Sequence, residues 1–97
     1  ITAELVQRVV ANRFGLSVDQ LTGKRRDREV AHARQIAMHL MRELTDASLP
    51  GIGQVFGGRD HSTVAHACER IRTQLPVDDD LRSLVEDLAE ESRGQTD

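Results

Sequence analysis

The stretch Gly57-Gly58-Arg59-Asp60-His61-Ser62-Thr63 holds the densest set of groups able to do chemistry. Two glycines that can turn the chain are followed by an arginine, a carboxylate, an imidazole and two hydroxyls. Val64, Ala67, Cys68, Ile71 and Leu75 then recur at helical spacing. The polar groups therefore occupy the first turn of an amphipathic helix, with Asp60 as its N-cap. A helix-turn-helix unit places that turn of its second helix in the major groove of DNA. There Asp60 can accept from a cytosine amino group, Ser62 and Thr63 can hydrogen-bond, and the Thr63 methyl can meet a thymine methyl. The plain alternative is capping alone, since Asp, Ser and Thr at a helix start need no ligand. Arg59, just before the turn, and Arg42, on the preceding long helix, count against it, because cations beside a helix amino terminus make a phosphate site.

Other chemistries find less support. His61 and His66 are five apart and His66 and Cys68 two apart, so neither pair has the i, i+4 spacing of a helical zinc site. Asp60, His61 and Ser62 are triad residue types, but neighbours on one helical turn cannot align as orienter, base and nucleophile. Cys68 falls on the apolar stripe and reads as a small buried hydrophobe. No Gly-rich phosphate loop of the GxxxxGK[ST] form occurs. The expectation is no catalysis, no metal and no cofactor in this chain.

Lys24-Arg25-Arg26-Asp27-Arg28 is a second charged cluster. It reads either as a solvated entrance to a helix or as an arm whose arginine enters a minor groove.

Elements that could position these groups are helical throughout, and no alternating Val/Ile/Thr-rich run suggests a strand. Val6, Val9, Val10 and Phe14 form one stripe of a first helix that Gly15 ends. Ser17-Val18-Asp19-Gln20 has the form of a capping box opening a short second helix closed by Gly23. The charged connector 24–28 leads into a long third helix with Val30, Ala33, Ala37, Leu40, Met41 and Leu44 inward. Arg34, Gln35, Met38 and Arg42 fall on or near its outer side. Ser48 caps the next helix, with Pro50 in its first turn and Ile52, Val55 and Phe56 inward, and Gly57-Gly58 stop it. Pro76 breaks the helix that Asp60 starts. Asp78-Asp79-Asp80 then opens a last helix packed back by Leu81, Leu84, Val85 and Leu88, and 93–97 reads as a fraying end. The fold expected is an all-α single domain over 1–97, about six helices with a helix-turn-helix, Trp-repressor-like.

Composition agrees with a DNA-facing surface once charge is resolved along the chain. The net charge is −3, but residues 24–73 carry nine Lys or Arg against six Asp or Glu, with all four histidines, whereas 74–97 carry two against eight. The basic middle is the expected binding surface and the acidic tail faces away from phosphate. Only two aromatics occur, Phe14 and Phe56, both in apolar contexts, so no stacking platform for single strands is expected. With one cysteine, no apolar run of about 18 residues and no initiator methionine, the chain reads as a piece of a larger soluble, cytoplasmic protein.

Arg34-Gln-Ile-Ala-Met-His-Leu40, Arg42-Glu-Leu-Thr45, Ser48-Leu-Pro50 with Ile52-Gly53, and Phe56-Gly-Gly-Arg-Asp-His-Ser-Thr-Val64 together resemble the C-terminal DNA-binding domain of the bacterial replication initiator DnaA. The resemblance is specific from about Lys24 to Ile71 and uninformative after Pro76. It implies recognition of the short, partly A·T-rich DnaA box at the chromosomal replication origin, with duplex DNA and the rest of the initiator as partners. The place of Arg26 is that of an arginine entering the minor groove. The places of Asp60, His61, Ser62 and Thr63 read the major groove, helped by those of Arg42, Leu49 and Pro50, and the places of Arg34, Gln35 and Arg59 mainly hold the DNA backbone. A preceding AAA+ ATPase domain, absent here, would bind the ATP. Thr-Thr is frequent in the family where this chain has Ser62-Thr63, and lysine is also common at the place of Arg42, so fine base preference is what these departures affect. Expected besides are a monomer, a nucleoid-associated location and a uniform loss across sequences on Arg34→Ala. The rival readings are a dimeric helix-turn-helix repressor domain and a helical protein-interaction module.

Overall fold

The computed structural model describes residues 1–94, which form six helices and, among the described residues, no strand. These are α1 (Ala3–Arg13), α2 (Val18–Thr22), α3 (Arg28–Leu44), α4 (Leu49–Val55), α5 (His61–Gln74) and α6 (Asp79–Gly94).

Most of the starts and stops follow from local chemistry. Thr2 caps α1 by accepting from the Leu5 amide at 3.1 Å. The α1 end is a Schellman motif. Gly15 has φ +67°, the Leu16 amide reaches back to Ala11 O at 2.8 Å and the Gly15 amide to Asn12 O at 3.2 Å. The capping box at α2 is present in both directions, Gln20 N to Ser17 Oγ at 3.0 Å and Ser17 N to Gln20 Oε1 at 2.9 Å. Ser48 caps α4 through the Gly51 amide, and Asp78 accepts from the Leu81 amide at the start of α6.

The third helix is the axle of the fold, touching α1, α2, α4, α5 and α6. Five neighbours leave little of it exposed. Ile36, Ala37, Met38, His39, Leu40 and Met41 are all buried, so the helix is covered on every side over that stretch. The one-sided reading of α3 is thereby corrected. Met38 is fully inside and Arg34 is only 9% exposed, neither on an outer face. Arg28 belongs to the first turn of α3 and not to the connector.

One core cluster draws on all six helices, with Val6, Val10, Leu21, Ile52, Phe56, Val64, Ile71 and Leu88 fully enclosed. Cys68 and Leu75 are half-buried at its edge. Burial pushes the Cys68 thiol up, with nearby Arg42 opposing that shift, which fits an inert packing role. Two buried polar groups are satisfied across or along helices. The Gln7 amide donates to Val55 O, an orphan carbonyl at the end of α4, at 2.7 Å, and the Ser92 hydroxyl donates to Leu88 O at 2.8 Å. The sixth helix runs through Arg93 to Gly94 where fraying was expected, and residues 95–97 lie outside the described residues.

Candidate nucleic-acid interface

The α4–turn–α5 unit depends on a close approach. Gly53 O accepts from three amides, Phe56 at 3.2 Å, Gly58 at 3.0 Å and Arg59 at 2.9 Å, which folds the chain back on itself. A Cβ at Gly53 would overlap the Arg59 carbonyl, so only glycine allows this approach. Gly57 and Gly58 then take φ +77° and +80°, and the chain leaves the turn aimed into α5.

At the start of α5 the capping interpretation is realised. Asp60 Oδ2 accepts from the Ser62 amide at 3.1 Å, while Oδ1 lies 3.4 Å from His61 Nδ1. Hydrogen bonding from the Ser62 amide first, then from its hydroxyl, holds the Asp60 carboxyl below its ordinary range and keeps it an ionised acceptor. Capping does not consume the turn. Asp60, His61, Ser62 and Thr63 are all exposed.

Beside this turn runs an open groove between α3 and α5. Arg34, Gln35, Arg59 and Thr63, four residues singled out from sequence, line it together, and so do His66 and Arg70. His66 and Arg70 were missed. Their signal was spacing, since 63, 66 and 70 share one face of α5 by steps of three and four. Arg42, Leu49 and Pro50 do not line the groove. Arg42 is exposed near the end of α3, Pro50 is exposed and Leu49 half-buried in the first turn of α4. The guanidinium groups of Arg26, Arg42 and Arg70 make no hydrogen bond or ion pair among the described residues.

Arg34 and Arg59 use their donors differently from the expectation that they hold a DNA backbone. Arg34 Nε donates to Leu21 O at 2.8 Å, and its Nη2 to Gly23 O at 2.9 Å and Arg25 O at 3.2 Å. Arg59 Nη1 donates to Thr22 O at 2.9 Å and to Phe56 O, and its Nη2 to Gly23 O at 2.7 Å. Burial lowers the pKa of both groups, and repulsion from Arg59 lowers Arg34 further. Sequence spacing gives no hint of this, because all the partners but Phe56 O are backbone carbonyls at the end of α2 and in the loop after it, 9 to 37 residues away.

That loop carries Arg26. Residues 24–29 are exposed, and Arg25 is tied to Asp27 by Nη2 to Oδ2 at 2.6 Å and Nε to Oδ1 at 3.3 Å. The pair spans Arg26 and leaves its side chain unengaged. Asp27 stands at the N-cap of α3 without capping it, its carboxylate taken by Arg25.

Opposite in sign, α6 places Glu86, Asp87, Glu90 and Glu91 at the surface and packs mainly on α1 and α3. No helix among the described residues is long and apolar enough to cross a membrane, and no group of three or more His, Cys, Asp or Glu is arranged there so that it could hold a metal ion.

Comparison with known proteins bears on what this arrangement is. The family model described as bacterial dnaA protein helix-turn-helix matches residues 3–71. Chromosomal replication initiator proteins DnaA from two strains of Lactobacillus delbrueckii subsp. bulgaricus are each 58% identical over 83 residues, covering 86% of this chain and 18% of the relative. A solved structure of a DNA replication initiation factor matches with TM-score 0.82 and 27% identity, covering 96% of this chain and 29% of that one. The chain thus spans under a fifth of the length of those curated relatives. Matched over α1 to α5, with its glycine turn and polar helix start in place, the chain belongs to the bacterial DnaA helix-turn-helix family.

Proposed function

We propose that this domain binds duplex DNA sequence-specifically as part of a replication initiator, and that its site is the DnaA box of a bacterial chromosomal origin. The observation that carries the reading is the exposed first turn of α5, Asp60 to Thr63, beside a groove holding Gln35, His66 and Arg70. Donors and acceptors for base edges thus lie next to cations for phosphate. The first turn of α5 reads the major groove, assisted by Arg42, Leu49 and Pro50. Arg26 enters the adjacent minor groove. Gln35, His66 and Arg70 hold the backbone along the α3–α5 groove.

The domain acts as a monomer on one asymmetric site, in the cytoplasm on the nucleoid. ATP binding and duplex opening belong to other parts of a longer protein, and this chain performs no catalysis. Selection from a randomised duplex pool followed by sequencing tests the reading without presuming a site. Enrichment of one short, partly A·T-rich motif is expected, with affinity falling steeply as salt rises. Recovery of unrelated sequences at moderate salt would sink it.

A further inference from the structure

Two guanidinium groups with no carboxylate partner among the described residues converge on one carbonyl, Gly23 O, and between them engage the carbonyls of Leu21, Thr22, Gly23 and Arg25. Two cations do not sit together without cause, since like charges at close range repel. Here the cause is geometric. The second helix has only five residues, so its last carbonyls lack helical partners and present the negative end of its dipole to Arg34 and Arg59. The planar fork of arginine can bridge several carbonyls at once, as the ammonium of lysine cannot.

The two arginines come from different parts of the fold. Arg34 lies inside α3, while Arg59 is the last residue but one before α5 and also donates to Phe56 O at the end of α4. Gly57 of the turn packs there as well, where a Cβ would come within 3.2 Å of Thr22 O. The helix-turn-helix turn and the 21–25 segment are therefore one tied unit. Arg26 follows directly, its Cα about 3.8 Å from that of Arg25, whose carbonyl Arg34 holds.

We propose that Arg34 and Arg59 are positioning residues that fix the register between Arg26 and the first turn of α5, so that minor-groove and major-groove contacts fall on one site at a set spacing. This rests on the DNA-binding reading above and changes the assignment of both arginines, from holding phosphate to holding the protein's own loop. A phosphate contact and a positioning clamp leave different marks. Removing a phosphate contact weakens every duplex alike and lowers the salt dependence by about one ion, whereas loosening the clamp removes preference and leaves charge in place.

Arg34→Lys and Arg59→Lys keep the charge and lose the fork. Affinity for a DnaA-box duplex and for a random duplex is measured as a function of salt, alongside backbone order from amide relaxation in the free domain. In each variant, box preference is expected to fall about tenfold with random-duplex affinity and salt slope unchanged. Adding Arg26→Ala to Arg34→Lys should then cost far less than in the wild type, a coupling that a loss of global stability would not produce. The Arg26 amide should lose order while those of α5 keep it. Equal weakening of both duplexes with a shallower salt slope, or unchanged order at Arg26 in both variants, overturns the clamp. If wild-type protein shows no box preference, the DNA-binding reading fails, and the relaxation data still decide whether the clamp orders the loop. Should Arg34→Lys not fold, Arg59→Lys, a half-exposed position, carries the same measurements.

Discussion

At the start of α5 the Asp60 carboxylate accepts the Ser62 amide two residues on, so that helix end is ordered by its own sequence. The 23–27 loop is held by two side chains 9 to 36 residues away, Arg34 and Arg59. Both regions are exposed and both are proposed to meet DNA, yet one is self-sufficient and the other depends on the tertiary fold. Local capping and long-range clamping fail under different perturbations. A variant can therefore separate the two regions, except where it strikes what they share.

Gly53 is what they share. Its carbonyl folds the turn, and its lack of a side chain lets Arg59 approach, so Gly53→Ala should disturb the α5 start and the clamp together. The overlap is with backbone, which cannot swing aside. The expected cost is about 3 kcal/mol or more, a fall in Tm on the order of 15 °C. A thermal melt within a few degrees of wild type would show the turn can relax, and the comparison between the regions would lose its common hinge.

Arg26→Ala and Thr63→Ala break the regions one at a time. Each should cost on the order of 1 to 3 kcal/mol of preference for the box over random duplex, with little change in Tm, because both side chains are exposed. Equal weakening of box and random duplex by Arg26→Ala would remove the minor-groove assignment. Asp60 tests the self-sufficient end in the free protein. Asp60→Ala should lower Tm by about 5 °C, and Asp60→Asn should restore most of it, because asparagine caps as well as aspartate. If the asparagine variant folds normally yet loses box preference, the carboxylate reads a base in addition to capping.

The same contrast explains what could be read in advance. Helix starts and stops were legible because Ser17, Ser48, Asp60 and Gly15 act within a few residues of themselves. The polar first turn of α5 was legible for the same reason. Arg34 and Met38 were misplaced because a helix surrounded by five others has no outer face along much of its length, and a periodic pattern assumes one. Arg34 and Arg59 as partners of loop carbonyls, and Gln7 reaching Val55 O across 48 positions, leave no mark in local spacing at all. His66 and Arg70 were within reach of the pattern and follow once the face of α5 bearing Thr63 is extended by one and two turns.

Protonation offers a finer separation, because three parts of the molecule titrate in three different ranges. The clamp pairs guanidinium with carbonyl and does not titrate near neutrality. At the α5 cap, the lowered Asp60 pKa means a contribution present above the ordinary carboxylate range and lost only as pH falls through the depressed value. His39 lies on the far side of α3, 6% exposed, in a cleft with Glu43, Arg72, Glu86, Glu90 and Arg93. Burial lowers its pKa, with Glu43 pulling the other way. An imidazole depressed in the folded state contributes stability above its ordinary value of about 6.5 and loses it as pH falls toward the folded value. Unfolding by denaturant at pH 7.5 and 5.5 should show a less stable domain at the lower pH, and His39→Leu should flatten that difference. A pH dependence that survives His39→Leu would move the titrating group elsewhere. One that disappears with it would put the acid-sensitive joint between α3 and α6, away from both regions proposed to face DNA.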